Sequence, residues 1–318
     1  MVNCTHAPPE AHSDAGVAGA GILLSFMIAA VLALVLSTSV IVAEIRGRPS
    51  TIRRKLLNGY SDSQIMQGIG IQSVGLAKMD SLVPYHFFLI WMLSLLSMAT
   101  HNATLLALVH DYRRDWVLRW LRQALMLVNL ALSCISGVFV LQVVSKNMSF
   151  STLPVACVWD GDATPFAKPP GADGVLSYVG TIAVIAGNVV IFALATWYLH
   201  SREQRWYKVV QLVGLLVMTG IAVGAAVRII LLSSAFGKPS IPLADQDEKQ
   251  WSFGQLLSML LLVLPLVSAI EIYRGDVQMA PPVEDERQPL YDGELQSNPH
   301  NKFQPNPFFG SQTNLFKK

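Results

Sequence analysis

The sequence predicts an all-α fold, a bundle of seven transmembrane helices, on three observations. The 318 residues are 52% hydrophobic and 14% charged, with a mean hydropathy of +0.44, whereas a soluble domain carries about a quarter charged residues. The charges are bunched, which leaves long runs almost free of Asp, Glu, Lys and Arg. The basic residues alternate from one connecting segment to the next, as they do in chains that cross a bilayer repeatedly.

A spanning helix needs roughly 17 to 25 mostly apolar residues, because hydrocarbon leaves every backbone amide to be satisfied within its own helix. Five runs pass this test outright and predict helices over about 18–43, 83–109, 121–145, 174–199 and 250–272. A sixth is predicted over 208–236, where the run from Val209 to Phe236 is interrupted only by Arg228, which 19 uncharged residues precede. The segment 62–78 is shorter and carries Gln64, Gln67 and Gln72; it reaches across if its ends are drawn toward the interfaces, and is taken as the second helix. The first run has no positive n-region, is longer than a signal core and is followed by a basic cluster, so it reads as a retained helix. The domain organisation is then an extracellular amino terminus (1–15), a transmembrane domain (16–274) and a cytoplasmic tail (275–318).

Orientation follows from the loops. Those at 44–62, 110–122 and 200–208 hold 12 basic and 5 acidic residues, while the amino terminus and the remaining loops hold 5 basic and 9 acidic. Short cytoplasmic loops hold the basic excess, which places the amino terminus outside and the carboxyl terminus in the cytoplasm. Asn3 and Asn147 fall in N-x-S/T sequons on the outer side and are candidate glycosylation sites; Asn102 lies inside the third helix, where the match is fortuitous. Cys4 and Cys157 are also outside and are candidates for a disulfide, although separate or intermolecular thiols fit three cysteines equally well. In the tail, prolines spread among acidic and amide residues predict disorder, and Asn306-Pro307-Phe308 is similar to the tripeptide that endocytic adaptors recognise.

Polar residues at bilayer depth are expensive unless paired or facing water, so they mark candidate sites. The short turn at 80–84 forces the second and third helices into an antiparallel hairpin. Asp62 then falls level with 100–102, Gln67 with 94–97 and Gln72 with 89–91. Gln64, Gln67 and Gln72 form one stripe, and Ser94, Ser97, His101 and Thr104 the other. Two readings stay open: a polar cleft for a ligand or ion with His101 as its titratable element, or interhelical hydrogen bonding worth under about 1 kcal/mol per bond. Arg228 has two readings as well. It snorkels to the interface or to Asp80, Asp245, Asp247 or Glu248, or it anchors an anion in an outward pocket with His86.

Other chemistry has little visible apparatus. None of the seven histidines pair at metal-binding spacings, no helix carries paired carboxylates, and there is no G-x-x-x-x-G-K loop. The seventh helix lacks a lysine for a retinal Schiff base. Neither metal nor cofactor is expected, nor any role in nucleic-acid binding.

The seven-helix topology with an external amino terminus resembles that of G-protein-coupled receptors, but Asp111-Tyr112-Arg113-Arg114 permutes their acidic-Arg-Tyr triplet and Leu264-Pro265-Leu266 stands where Asn-Pro-x-x-Tyr is expected. A closer resemblance, confined to the second and third helices, is to a group of fungal integral membrane proteins. It rests on Ser61-Asp62-Ser63-Gln64, Gly68-Ile69, Tyr85-His86 and Thr100-His101-Asn102-Ala103-Thr104-Leu105, and departs where Asn102 separates His101 from Ala103. The resemblance implies the fold and a fungal membrane protein of the type found in secondary-metabolite gene clusters. The leading expectation is a receptor-like protein of the plasma membrane or secretory pathway that binds a small ligand within the bundle and meets a cytoplasmic signalling or adaptor protein. A transporter or accessory component of a metabolite pathway is the alternative, and a membrane-embedded enzyme the third.

Overall fold

The computed structural model describes residues 4, 6–47, 51–114, 116–159, 172–200 and 206–274. Asn3 and the whole predicted tail lie outside the described residues. The described chain is helical, with one isolated backbone bridge between Ala11 and Leu243. Its helices are α1 (Ala15–Ala18), α2 (Ala20–Ile45), α3 (Thr51–Ala77), α4 (Pro84–Ala107), α5 (Val109–Arg114), α6 (Trp116–Ser145), α7 (Ala172–His200), α8 (Tyr207–Leu232), α9 (Phe253–Leu260) and α10 (Leu264–Tyr273). They compose seven rods, counting α1 with α2, α5 with α4 and α9 with α10. Six of these are long and apolar enough to cross a membrane, which is consistent with a multi-pass membrane protein; α3 has the length without the apolarity.

The rods surround α4. It packs against α2, α3, α6, α7 and α8, and every one of its residues except Phe88 is buried. Among the six apolar rods α4 is the least apolar, yet it is the one whose whole span is buried; the more apolar α7, α8 and α9–α10 are mostly exposed. In water that order would be reversed. It is the order expected when hydrocarbon is the solvent, because the outward faces must then be apolar and the polar residues collect where protein surrounds them. On α8, for instance, Leu212 is 67% and Leu216 74% exposed.

Helix ends depart from the sequence boundaries for identifiable reasons. The second helix begins at Thr51 rather than at 62, because its charged first turns are held by neighbours: Arg53 Nη1 donates to Ser39 Oγ at 2.6 Å and Arg54 Nη1 pairs with Asp111 Oδ1 at 2.6 Å. The third breaks at Leu108 between α4 and α5. The Leu106 carbonyl near that break accepts from Tyr207 Oη at 2.9 Å and Gln211 Nε2 at 2.8 Å, which satisfies an otherwise orphaned acceptor. The sixth stops at Leu232 instead of 236, where Ser233 turns extended and the Ser234 amide donates to Tyr85 Oη at 2.7 Å. The seventh is interrupted at 261–263, just ahead of Pro265, which has no amide to donate. α6 ends at Ser145, and Asn147 beyond it takes the left-handed conformation with φ of 55°.

One end of the bundle is closed by loops. Cys4 and Cys157 form a disulfide. The Ala11 amide donates to Pro242 O at 3.0 Å and the Ala244 amide to Ala11 O at 2.9 Å. Asp14 pairs with Lys78 at 2.9 Å, and Ser13 bonds Asp245. The side chain of Gln255 enters at the α1–α2 junction and accepts from the Gly21 amide at 3.0 Å; any Cβ at Gly19 or Gly21 would collide with it. This end, with the amino-terminal segment strapped across it, is called the disulfide end below.

Candidate functional site

The hairpin of α3 and α4 has nearly the predicted register. Gly68 lies against Ser97, and Gly75 against Ile90. Gln64, Gln72, Ser94, Ser97 and His101 are fully buried between the helices. Ser97 Oγ donates to the Gln64 carbonyl at 2.7 Å. Gln67 does not join them, since its Nε2 turns back to Ser63 Oγ on its own helix at 2.9 Å. Thr104 likewise donates to the Thr100 carbonyl on its own helix at 2.8 Å.

The residue that organises the cluster is on α6. Asn129 Oδ1 accepts from Gln72 Nε2 at 2.7 Å, and its Nδ2 donates to Ser97 Oγ at 3.2 Å and lies 3.3 Å from His101 Nε2. A turn further along, Ser133 Oγ is 3.0 Å from Ser94 Oγ. These bonds tie α3, α4 and α6 at mid-depth. An asparagine within an uncharged run was the available signal for Asn129, but an argument built on one hairpin gives no reason to look to a third helix. Several polar atoms here remain without a protein partner: both side-chain atoms of Gln64, Gln72 Oε1 and His101 Nδ1.

Asp62 lies at the opposite end from the disulfide, where its Oδ2 is 2.6 Å from Arg122 Nη2. Tyr112 Oη donates to Asn58 Oδ1 at 2.7 Å, and burial holds the Tyr112 hydroxyl well above its ordinary value. With Arg54–Asp111, these groups cross-link α3, α5 and α6.

His86 and Arg228 do not share a site. His86 Nε2 lies 2.7 Å from Glu248 Oε1, and Tyr85 Oη donates to Glu248 Oε2 at 3.0 Å, all three being buried at the disulfide end. Nothing in the sequence pattern singles out Glu248, which sits in a charged loop of ordinary composition. The carboxylates offered as partners of Arg228 are thus partly committed elsewhere: Glu248 to His86, and Asp245 to Ser13. Among the described residues the Arg228 side chain makes no hydrogen bond or ion pair, and its guanidinium lies 6.0 Å from the Phe88 ring centre. Because α8 ends at Leu232, Arg228 sits one helical turn from that end, not two as the longer predicted helix implied.

Arg228 lines a groove of about 400 Å³ formed by α4, α7 and α8. Trp91, Met92 and Leu95 of α4 form its floor. Gly180, Gly220 and Gly224 line its walls, and an added Cβ at any of the three would meet nothing within 4 Å. Ser177 and Thr181 bring hydroxyls to it, Thr181 donating to the Ser177 carbonyl at 2.9 Å. The volume falls within the roughly 300–1,000 Å³ of small-ligand sites. Asn147 is exposed in its turn at the disulfide end.

Comparison with protein-family models, curated proteins and solved structures finds no match to this chain.

Proposed function

We propose that the chain is a receptor-like seven-helix membrane protein, amino terminus outside, that binds a small ligand within the bundle and relays its presence through α4. The observation that carries the reading is the groove against α4 with Arg228 at its edge. The same helix that floors the groove with Trp91, Met92 and Leu95 carries Ser94 and Ser97, which bond α6 and α3. A ligand that shifts α4 therefore acts on contacts that tie three helices together. Two features support the orientation: a disulfide forms in oxidising compartments, and the opposite end gathers Arg53, Arg54 and Arg122. In this reading Asn147 is a glycosylation site and the segment after α10 is cytoplasmic. A fungal surface or secretory membrane, and a signalling or adaptor partner, belong to the same proposal.

A transporter is the second reading, favoured by the break between α9 and α10 ahead of Pro265, since transporters use interrupted helices. Comparing wild-type and deletion strains of the source organism separates the two. A lost transcriptional response with unchanged metabolites supports the receptor; retention of a finished product inside the cell supports the transporter and contradicts the receptor.

A further inference from the structure

We infer that the α4–α7–α8 groove takes a single-chain amphiphile with one carboxylate, which enters from the bilayer with its headgroup at Arg228 and its tail over Gly220 and Gly224; this rests on the ligand-binding reading above. Three features of the groove lead there. First, glycine in a helix interior is unfavourable by about 1 kcal/mol relative to alanine, and close helix approach is the usual compensation. Gly180, Gly220 and Gly224 have no such neighbour, because the space beside each is open. What they do provide is the width of the groove over Trp91, Met92 and Leu95.

Second, Arg228 is a guanidinium on α8 separated from Lys208 at the far end of that helix by 19 uncharged residues, and among the described residues it has no carboxylate partner. A cation over a ring centre 6.0 Å away is weakly held, and a planar guanidinium matches a carboxylate bidentately. Besides the Trp91 indole, the other polar side chains lining the groove are Ser177 and Thr181, and Thr181 already spends its proton on the Ser177 carbonyl. One cation and few donors suit a monoanion with two oxygens better than a phosphate with three. Third, the volume of about 400 Å³ lies toward the lower end of the range of small-ligand sites, which suits a single medium-length chain better than a two-chain lipid.

The test uses the full chain in nanodiscs of zwitterionic phosphatidylcholine. The probes are dodecanoic acid bearing a photoreactive diazirine near its tail and the methyl ester of the same compound, with labelled peptides mapped by mass spectrometry. The expected result is acid-selective labelling of peptides from α4, α7 and α8, displaced by unlabelled dodecanoate. Arg228→Gln should weaken the acid about tenfold or more and leave the ester unchanged. Gly220→Leu, which meets no atom at its Cβ, should diminish labelling by both; Gly180→Leu serves if that variant does not fold. Equal labelling by acid and ester, an unaltered Arg228→Gln, or labelling spread evenly over the lipid-facing helices overturns the inference. Specific labelling lost in Arg228→Gln, in a strain whose response stays wild-type, upholds the site and contradicts the sensing function. An Arg228-dependent response without acid-selective labelling contradicts this ligand and leaves the sensing function standing.

Discussion

His86 on α4 and Glu248, in the turn before α9, are 2.7 Å apart and buried, the carboxylate 0% and the imidazole 2% exposed. With Tyr85 donating to the second oxygen of Glu248 and accepting from the Ser234 amide, the pair holds the loop between α8 and α9 onto the central helix. This tie is a structural device of the disulfide end, separate from the groove.

Replacing Glu248 with Ala leaves a buried imidazole and a buried phenol without their acceptor, which for a broken buried pair is worth about 3–5 kcal/mol. Tyr85→Phe removes one donor and one acceptor and should be milder, about 1–3 kcal/mol. Thermal unfolding of the purified protein should show Glu248→Ala as the larger loss. Equal or negligible shifts would contradict the assignment.

The mid-depth cluster is expected to be worth less than its number of bonds suggests. Interhelical hydrogen bonds in bilayers average about 0.6 kcal/mol, so Asn129→Leu should lose about 1–2 kcal/mol through the bonds to Gln72 and Ser97. Gly68→Val should lose more, because any Cβ there collides with Ser97 Oγ and comes within 2.9 Å of Asn129 Oδ1. Denaturation in detergent checks the order of the two.

Asp62–Arg122 is short at 2.6 Å, but the two side chains are 45% and 23% exposed. Such pairs contribute about 0–1 kcal/mol, and a double-mutant cycle with Asp62→Asn and Arg122→Gln should return a coupling in that range. A coupling of several kcal/mol would mean that the interhelical latch is far better shielded than its exposure indicates.

The disulfide closes a sequence separation of 153 residues, and its removal from either side should destabilise by about 2–5 kcal/mol. Alkylation of the denatured, unreduced protein should modify one thiol, Cys134, and reduction should release two more. Modification of three thiols without reductant would show that the bond is not made.

The seven runs and the hairpin register were legible because they depend on local quantities, a stretch of apolar residues and a turn too short to allow anything but antiparallel packing. Gln64, Gln72, Ser94, Ser97 and His101 follow from that register. The central position of α4 was not legible, since hydropathy reports only compatibility with hydrocarbon and says nothing about which helix the others enclose. Asn129 and Glu248 were missed for a related reason: each meets its partners through tertiary packing, across 57 residues to Gln72 in one case and 162 to His86 in the other. A pocket at Arg228 was anticipated as one of two readings, but with His86 beside it, whereas His86 is held by Glu248 and does not line the groove. Its walls are glycines whose meaning depends on what is absent beside them, and no sequence period encodes that.

The most direct test of the central claim, that ligand binding at Arg228 drives a response, compares Arg228→Gln with Arg228→Lys in the deletion strain of the source organism. Transcriptional response and surface abundance are read together. The account predicts both variants at wild-type abundance, with the response lost in Arg228→Gln and partly retained in Arg228→Lys, which keeps the charge without the bidentate fork. A wild-type response from Arg228→Gln, or response and abundance falling in proportion, would contradict it.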